Sequence, residues 1–392
     1  MSLGAFSDWS APKSGARRRT ECSVGRTRGG SSIGSTAKFH LPTGEMNLMR
    51  IGVAGVGRIG AMHARNLTDL ETVDKLVLFD PQPGRADALA REIGAEAVAD
   101  LDTLLREVDG VVVATPTDTH PEMVRRTVAA GVPTLCEKPI ASDVPAMRAL
   151  IAEVEASGVP VLVGFQRRFD PAVVELKRRL DAGEVGTPYL VRAVGQDAAP
   201  PDFGYLPASG GIFRDLLIHD LDAVPWLIGE PVVEVYAGGS VLVDQAFADA
   251  DDVDNAVVML RFAGGAHAVL TGGRHNPAGY DHRIEVLGSA QSLAVGLDPR
   301  TPLTSLEEGG PQAGPDAYPG FPERFARAYG NEMRVFVEVV AGRMANPSPV
   351  RDSLGSLILA AACERSRREG RPVVPDPPAD DPAVSAVGEA AS

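Results

Sequence analysis

The amino-acid sequence predicts an α/β protein whose N-terminal domain is a doubly wound parallel sheet. Three observations carry that expectation. A glycine motif lies between an apolar strand and a helix in the segment RIGVAGVGRIG (50–60), strands and helices alternate with short loops as far as Gly164, and the overall composition is that of an ordinary globular protein.

At 392 residues the chain is long enough for two domains, each with its own core. It is 44% hydrophobic and 23% charged, and no apolar run is long enough to span a bilayer, so a membrane protein is excluded. Three widely spaced cysteines, Cys22, Cys136 and Cys363, provide neither a disulfide framework nor a cysteine-based metal site, which points to a reducing cytoplasm. Residues 1–48 are rich in Ser, Gly and Arg without an apolar period, and 375–392 are rich in Pro, Ala and Asp; both are expected to be disordered. With a formal net charge of −14, the chain is expected to repel nucleic acid.

The first domain is expected over 49–170. A buried strand, Ile51 to Ala54, runs into Gly55, Gly57 and Gly60 and then a helix. Gly55 permits the tight turn, Gly57 lets backbone approach a pyrophosphate, and Gly60 lets helix and strand pack closely. The next strand, 75–79, ends in Asp80, twenty residues after Gly60, where a carboxylate binds the adenosine ribose hydroxyls and repels a 2′-phosphate. That favours NAD over NADP, although Arg85 and Arg91 lie nearby. Further helices are expected at 84–93, 101–106, 121–130 and 143–157, with strands near 97 and at 110–114, 134–136 and 161–164. Ligands of such sheets bind at the C-terminal strand ends, where Gly55, Asp80, Thr115, Lys138 and Gln166 all stand. The chain has 33 Arg and only five Lys, so a lysine at 138 suggests that a point charge is wanted there.

Downstream, Asp215 and His219 are four residues apart in a segment read as one helix from Gly210 to Trp226. On such a helix they share a face, and a carboxylate one turn from an imidazole orients it and favours its protonated form. An imidazole there, at His219, is suited to acid/base work, and a cation nearby can stabilise developing negative charge. Asp220 points away from His219 on that helix, so no metal site is expected.

The segments GVGRIG, ATPT followed by His120, EKP, GFQRRFD and GGIFRDLLIHDLD together resemble the Gfo/Idh/MocA oxidoreductases, over roughly 50–370. Within that family the chain looks most similar to the inositol 2-dehydrogenases. The resemblance implies a Rossmann domain followed by a C-terminal α/β domain, expected over 171–374, with an open, largely antiparallel sheet whose outer face makes a homo-oligomer, a tetramer or dimer. Strand-like runs at 189–194, 232–243, 253–262, 267–271, 283–287 and 292–295, and late helices at 321–342 and 351–369, agree with it. It further implies NAD held by Gly55, Gly57, Arg58, Ile59, Gly60, Asp80, Thr115, Pro116, His120, Glu137, Lys138 and Gln166. Lys138, Asp215 and His219 occupy the catalytic positions, with His219 as acid/base. Arg167, Asp197 and Tyr280, with Asp215 and His219, face the substrate. Some inositol enzymes carry a His-Arg-Asn-like segment where this chain has Gly195-Gln196-Asp197, which leaves the identity of the polyol open. The expected activity is NAD-dependent oxidation of a cyclic polyol, with myo-inositol foremost. A sugar dehydrogenase or reductase is the alternative. A non-catalytic nucleotide sensor would have shed the lysine or the Asp/His pair, and all three are present.

Overall fold

The computed structural model describes residues 48–377. The expected leader up to Asn47, with Cys22, and the expected tail beyond Pro377 lie outside the described residues.

The first sheet contains β1 (Met49–Ala54), β2 (Val73–Phe79), β3 (Glu96–Ala97), β4 (Gly110–Val113), β5 (Thr134–Glu137) and β6 (Val161–Gly164), in the order β3-β2-β1-β4-β5-β6. Every pairing is parallel. Strands β4 and β6 are buried throughout because helices cover both faces. Asp100 and Asp143 start two of those helices by accepting the N–H groups of Thr103 and Ala146. Chain order reverses between β1 and β4, and the crevice at that switch point is where such a sheet holds its ligand.

The second sheet contains β7 (Pro188–Gln196), β8 (Val232–Ser240), β9 (Asn255–Phe262), β10 (His267–Gly273), β11 (Asp281–Gly288) and β12 (Ser292–Val295), in the order β12-β11-β7-β10-β9-β8. It is antiparallel except for the central β7–β10 pair. Burial alternates along β9, so one face packs on a core and the other meets solvent.

The C-terminal helices bind the two sheets together. The helix Ala326–Val340 returns to the first sheet and buries Met333, Phe336 and Val337 against Ile51 and Val53. Along Ser353–Glu369, Leu354, Leu357 and Ile358 join the core of the first sheet, while Leu359, Ala360 and Cys363 join that of the second. Burying each such leucine is worth about 1.5–3 kcal/mol, so this helix ties the two cores to each other.

Three expected elements differ. The strand expected over 232–243 ends at Ser240, because the Asp254 carboxylate gathers the N–H groups of Leu242, Val243 and Asp244 into a turn before a short helix, Gln245–Asp249. The helix expected over 321–342 is split by the buried Phe325. The helix expected from Gly210 to Trp226 is two pieces, Ile212–Asp215 and Ile218–Ile228, joined by a turn at Leu216 and Leu217. That break changes the site.

Candidate active site

On the first sheet, the site begins where β1 meets the helix Arg58–Thr68. Gly55 has φ +85°, and a Cβ there would lie 2.8 Å from the Ala114 carbonyl. A Cβ on Gly60 would lie 1.8 Å from the Gly55 oxygen, so only glycine lets the helix sit this close. At Gly57 a Cβ would meet nothing within 4 Å. The N-terminus of this helix has no side-chain cap and no acidic residue in its first turn. Open space, uncapped N–H groups around Arg58 and Ile59, and a positive helix end together suit the pyrophosphate of a dinucleotide.

Asp80 closes the same crevice. Its carboxylate accepts the N–H of Val56 at 2.9 Å and that of Gln82 at 2.8 Å. Arg85, one of the two arginines noted nearby, reaches both Asp80 oxygens at 3.4 Å. Thr115 and Pro116 follow β4. His120 is buried, with one ring nitrogen 2.8 Å from the Thr115 carbonyl and the other 2.8 Å from that of Pro139. It is thus a strut between two strand-end loops, with neither nitrogen open to a ligand. Gln166 is buried, and its Oε1 has no hydrogen-bond partner among the described residues.

Glu137 ends β5. Its Oε1 lies 2.7 Å from His63 Nε2, and its Oε2 accepts the Lys138 N–H at 3.2 Å. Glu332 lies beside this pair, and neither of its oxygens has a hydrogen-bond partner among the described residues. Among the described residues, these three are the only group of His, Cys, Asp and Glu placed to share an ion. Burial, followed by the Glu137 charge, pushes the Glu332 carboxyl well above the usual carboxylate range. A carboxyl that keeps its proton is a poor metal ligand.

The second sheet supplies the opposite wall. Lys138 Nζ donates to the Asp215 carbonyl at 2.9 Å and lies 3.8 Å from its Oδ1, so the two walls meet at this pair. Asp215 Oδ2 is 2.9 Å from Arg274 Nη1, and Tyr205 donates to Asp215 Oδ1 at 3.2 Å. Arg274 also reaches Asp197 at 3.3 Å. Burial opposes ionisation of Asp215, but Lys138, Arg274 and Tyr205 outweigh it and hold the carboxyl below its ordinary value. Burial has the upper hand at Asp197, whose carboxyl is raised.

His219 is not the partner of Asp215. The chain turns between them, and Asp215 spends its oxygens on Arg274 and Tyr205. The imidazole is half-buried, edge-on to Phe165 at 6.1 Å, and its Nδ1 has no hydrogen-bond partner among the described residues. Burial, followed by Lys138, Arg167 and His282, pushes its pKa well below the usual imidazole value. The expected carboxylate-stabilised imidazolium is replaced by a neutral ring.

The remaining residues of the expected site form its frame. Arg167 is buried and paired with Asp220, on which His282 also bears at 3.8 Å. Arg168 pairs with Asp222 at 2.8 Å and Asp352 at 3.0 Å. Tyr280 is buried in a cluster with Phe325, Ala328 and Tyr329. Sequence reasoning missed His63, Glu332, Tyr205, Arg274 and His282. Two of these had a readable signal. His63 shares the buried stripe of Gly60, Ala64 and Leu67, and Glu332 that of Ala328, Met333 and Phe336. A polar side chain inside an apolar helical stripe must be held by something.

Known proteins share both domains. Residues 49–165 match the oxidoreductase family with an NAD-binding Rossmann fold, and residues 173–294 match the GFO/IDH/MocA C-terminal domain. A myo-inositol dehydrogenase of Streptomyces leeuwenhoekii is 41% identical over 83% of this chain and 100% of its own length. The crystal structure of a myo-inositol dehydrogenase from Corynebacterium glutamicum superposes with a TM-score of 0.77 at 35% identity, covering 84% of this chain and 99% of that one. That of a scyllo-inositol dehydrogenase from Lactobacillus casei, with NAD(H) and scyllo-inositol bound, gives 0.74 at 25% identity, covering 83% and 99%. With a glycine cradle on one wall, a Lys–Asp–His group across the cleft, and both family domains matched in order, the chain belongs to the Gfo/Idh/MocA oxidoreductases and uses NAD.

Proposed function

We propose that this protein oxidises a secondary alcohol of a cyclic polyol to a ketone, with myo-inositol as its foremost substrate. The observation that carries the reading is the meeting of Lys138 with Asp215, 2.9 Å to the carbonyl and 3.8 Å to the carboxylate, beside a neutral imidazole. NAD supplies the hydride acceptor. Gly55, Gly57 and Gly60, with the Arg58 and Ile59 N–H groups, cradle its pyrophosphate, and Asp80 holds the adenosine ribose. Thr115, Pro116, Glu137 and Gln166 line the rest of its path, and His120 braces that path from behind.

His219 takes the hydroxyl proton. A neutral ring can do so directly, and the imidazolium formed beside Lys138 and Arg167 is disfavoured, so the partly exposed ring releases the proton to solvent. Lys138 stabilises the alkoxide oxygen as charge develops. Asp215 keeps the ammonium in place. Asp197 faces the substrate hydroxyls, while Arg167 and Tyr280, buried and engaged, shape the wall behind them.

The protein is proposed to work in the cytoplasm as a homo-oligomer, a tetramer or dimer. Tyr236, Val257 and Met259 form an apolar patch on the open face of the second sheet, 41%, 52% and 40% exposed, which suits self-association. Cys136 and Cys363 are buried free thiols. Among the described residues, no helix is long and apolar enough to cross a membrane.

The test is purified protein with a panel of cyclic polyols and sugars, with NAD and with NADP, followed by NADH absorbance. Steady NADH accumulation with myo-inositol is expected. Oxidation confined to open sugars would replace the substrate class, and no accumulation with any of them would overturn net alcohol oxidation.

A further inference from the structure

Arg274 sits just beyond β10 and is almost fully buried, which is a costly place for a guanidinium. What it touches accounts for its presence. A single nitrogen, Nη1, lies 2.9 Å from Asp215 Oδ2 and 3.3 Å from Asp197 Oδ2, so one cation is shared between two carboxylates. Its backbone is fixed as well: its N–H donates to the Asp254 carbonyl at 2.8 Å, and the preceding Gly273 carbonyl accepts from Asp197 N–H at 2.9 Å. Nε and Nη2 are closed off from solvent and have no hydrogen-bond partner among the described residues, so Nη1 alone carries the guanidinium's polar contacts.

We propose that Arg274 is a positioning residue for the reaction: it holds Asp215 ionised against Lys138, and lets the second carboxylate, Asp197, stand in the same cleft. This rests on the reading that Lys138, Asp215 and His219 perform the chemistry. Without Arg274, two half-buried carboxylates would face each other with only Lys138 between them, and one would take up a proton. A protonated Asp215 no longer anchors the ammonium, and a lysine displaced by about 1 Å can cost on the order of 100-fold in turnover. The groups that face Asp215 are Lys138 from the first wall, and Tyr205, Asp197 and Arg274 from the second; Asp252 is the further carboxylate bearing on Arg274.

The test uses Arg274→Met and Arg274→Lys, alone and combined with Asp215→Asn. Arg274→Met is expected to lower turnover about 100-fold while leaving NAD affinity by calorimetry within about twofold, because its polar partners among the described residues, Asp197, Asp215 and Asp254, lie outside the cofactor cradle. Its acid limb should move upward by about one pH unit or more, since the carboxyl loses the cation that kept it ionised. Arg274→Lys should return the limb towards wild type with only part of the turnover, as a point charge replaces the fork, and it serves where Arg274→Met fails to fold. In the Asp215→Asn background, losing Arg274 should cost no more than about threefold. Fully multiplicative losses, or an unmoved acid limb, would overturn the proposal. Failure of the underlying reading looks different: wild-type protein inactive on every polyol, or Asp215→Asn and His219→Ala with normal turnover.

Discussion

On the cofactor wall of the cleft the work is done by backbone and by space, whereas on the substrate wall it is done by balanced charge. Gly55, Gly57 and Gly60 contribute no side chain, and what matters there is how close two backbones come. Across the cleft, Lys138, Arg274, Asp215 and Asp197 sit within one connected set of ion pairs, with neutral His219 alongside. The two walls therefore have different weak points. A single added methyl group should ruin the first regardless of pH, while the second should tolerate changes of shape better than changes of charge.

The largest effect is expected at Gly60. Gly60→Ala places a Cβ 1.8 Å from a backbone oxygen, so the turn must shift and NAD binding should be lost at every pH. Gly57→Ala is the sharper companion. Its Cβ meets nothing, so the fold should keep its melting temperature while NAD affinity falls, because the methyl group fills the approach that a pyrophosphate needs. Calorimetric titration with NAD, beside thermal melts, reads both. Equal losses of stability in the two variants would break the distinction between space that holds the fold and space that holds the ligand.

Next in size is the base. His219→Ala should lower turnover by about 10²–10⁴-fold with NAD affinity near normal, because the ring packs on Phe165, outside the glycine cradle. Wild-type turnover in this variant would sink the mechanism. Lys138→Ala should do comparable damage to turnover. It is also expected to weaken NAD, since Lys138 adjoins Glu137 on the cofactor side.

The asymmetry between the walls also explains what was legible in the sequence. The cofactor wall reads from the chain in order, because each strand end delivers its residue to the crevice and glycine spacing encodes backbone geometry directly. All six strands of the first sheet could be placed that way. On the substrate wall the identities of Asp215 and His219 were legible but their relation was not. A spacing of four implies a shared face only if the helix is continuous, and the turn at Leu216 and Leu217 divides it. Arg274 was invisible because its partners lie 59 and 77 residues away in the chain, and only the pairing of β10 with β7 brings Gly273 beside Gln196.

A smaller effect is expected for cofactor choice. Asp80→Ser removes the charge that repels a 2′-phosphate and frees Arg85, now 3.4 Å from both carboxylate oxygens, to meet one. The ratio of catalytic efficiency with NAD to that with NADP should fall by about tenfold or more, or 1.4 kcal/mol per factor of ten. Some loss of stability should accompany it, because Asp80 also accepts the Val56 N–H. An unchanged ratio would show that discrimination lies elsewhere in the cradle.

The smallest effect, and the one that tests the charged wall most directly, is the pH profile of the wild-type protein. Oxidation needs His219 deprotonated and Asp215 ionised. Both are held below their ordinary values, the imidazole by burial and then by the cations around it, the carboxyl by Lys138 and Arg274 against burial. A group with a lowered pKa keeps its basic form to more acid pH, so the acid limb of kcat/KM should lie below about 6.5, the ordinary imidazole value. Had Asp215 been the partner of His219, the carboxylate would have stabilised the imidazolium and moved the limb above that value. Asp215→Asn separates the two cases further. It removes a negative charge that offsets Lys138 and Arg274, so the field at His219 becomes more positive and the limb should move lower still, or stay where it is. A limb above neutrality in the wild type, falling back in Asp215→Asn, would restore the pairing that the broken helix rules out.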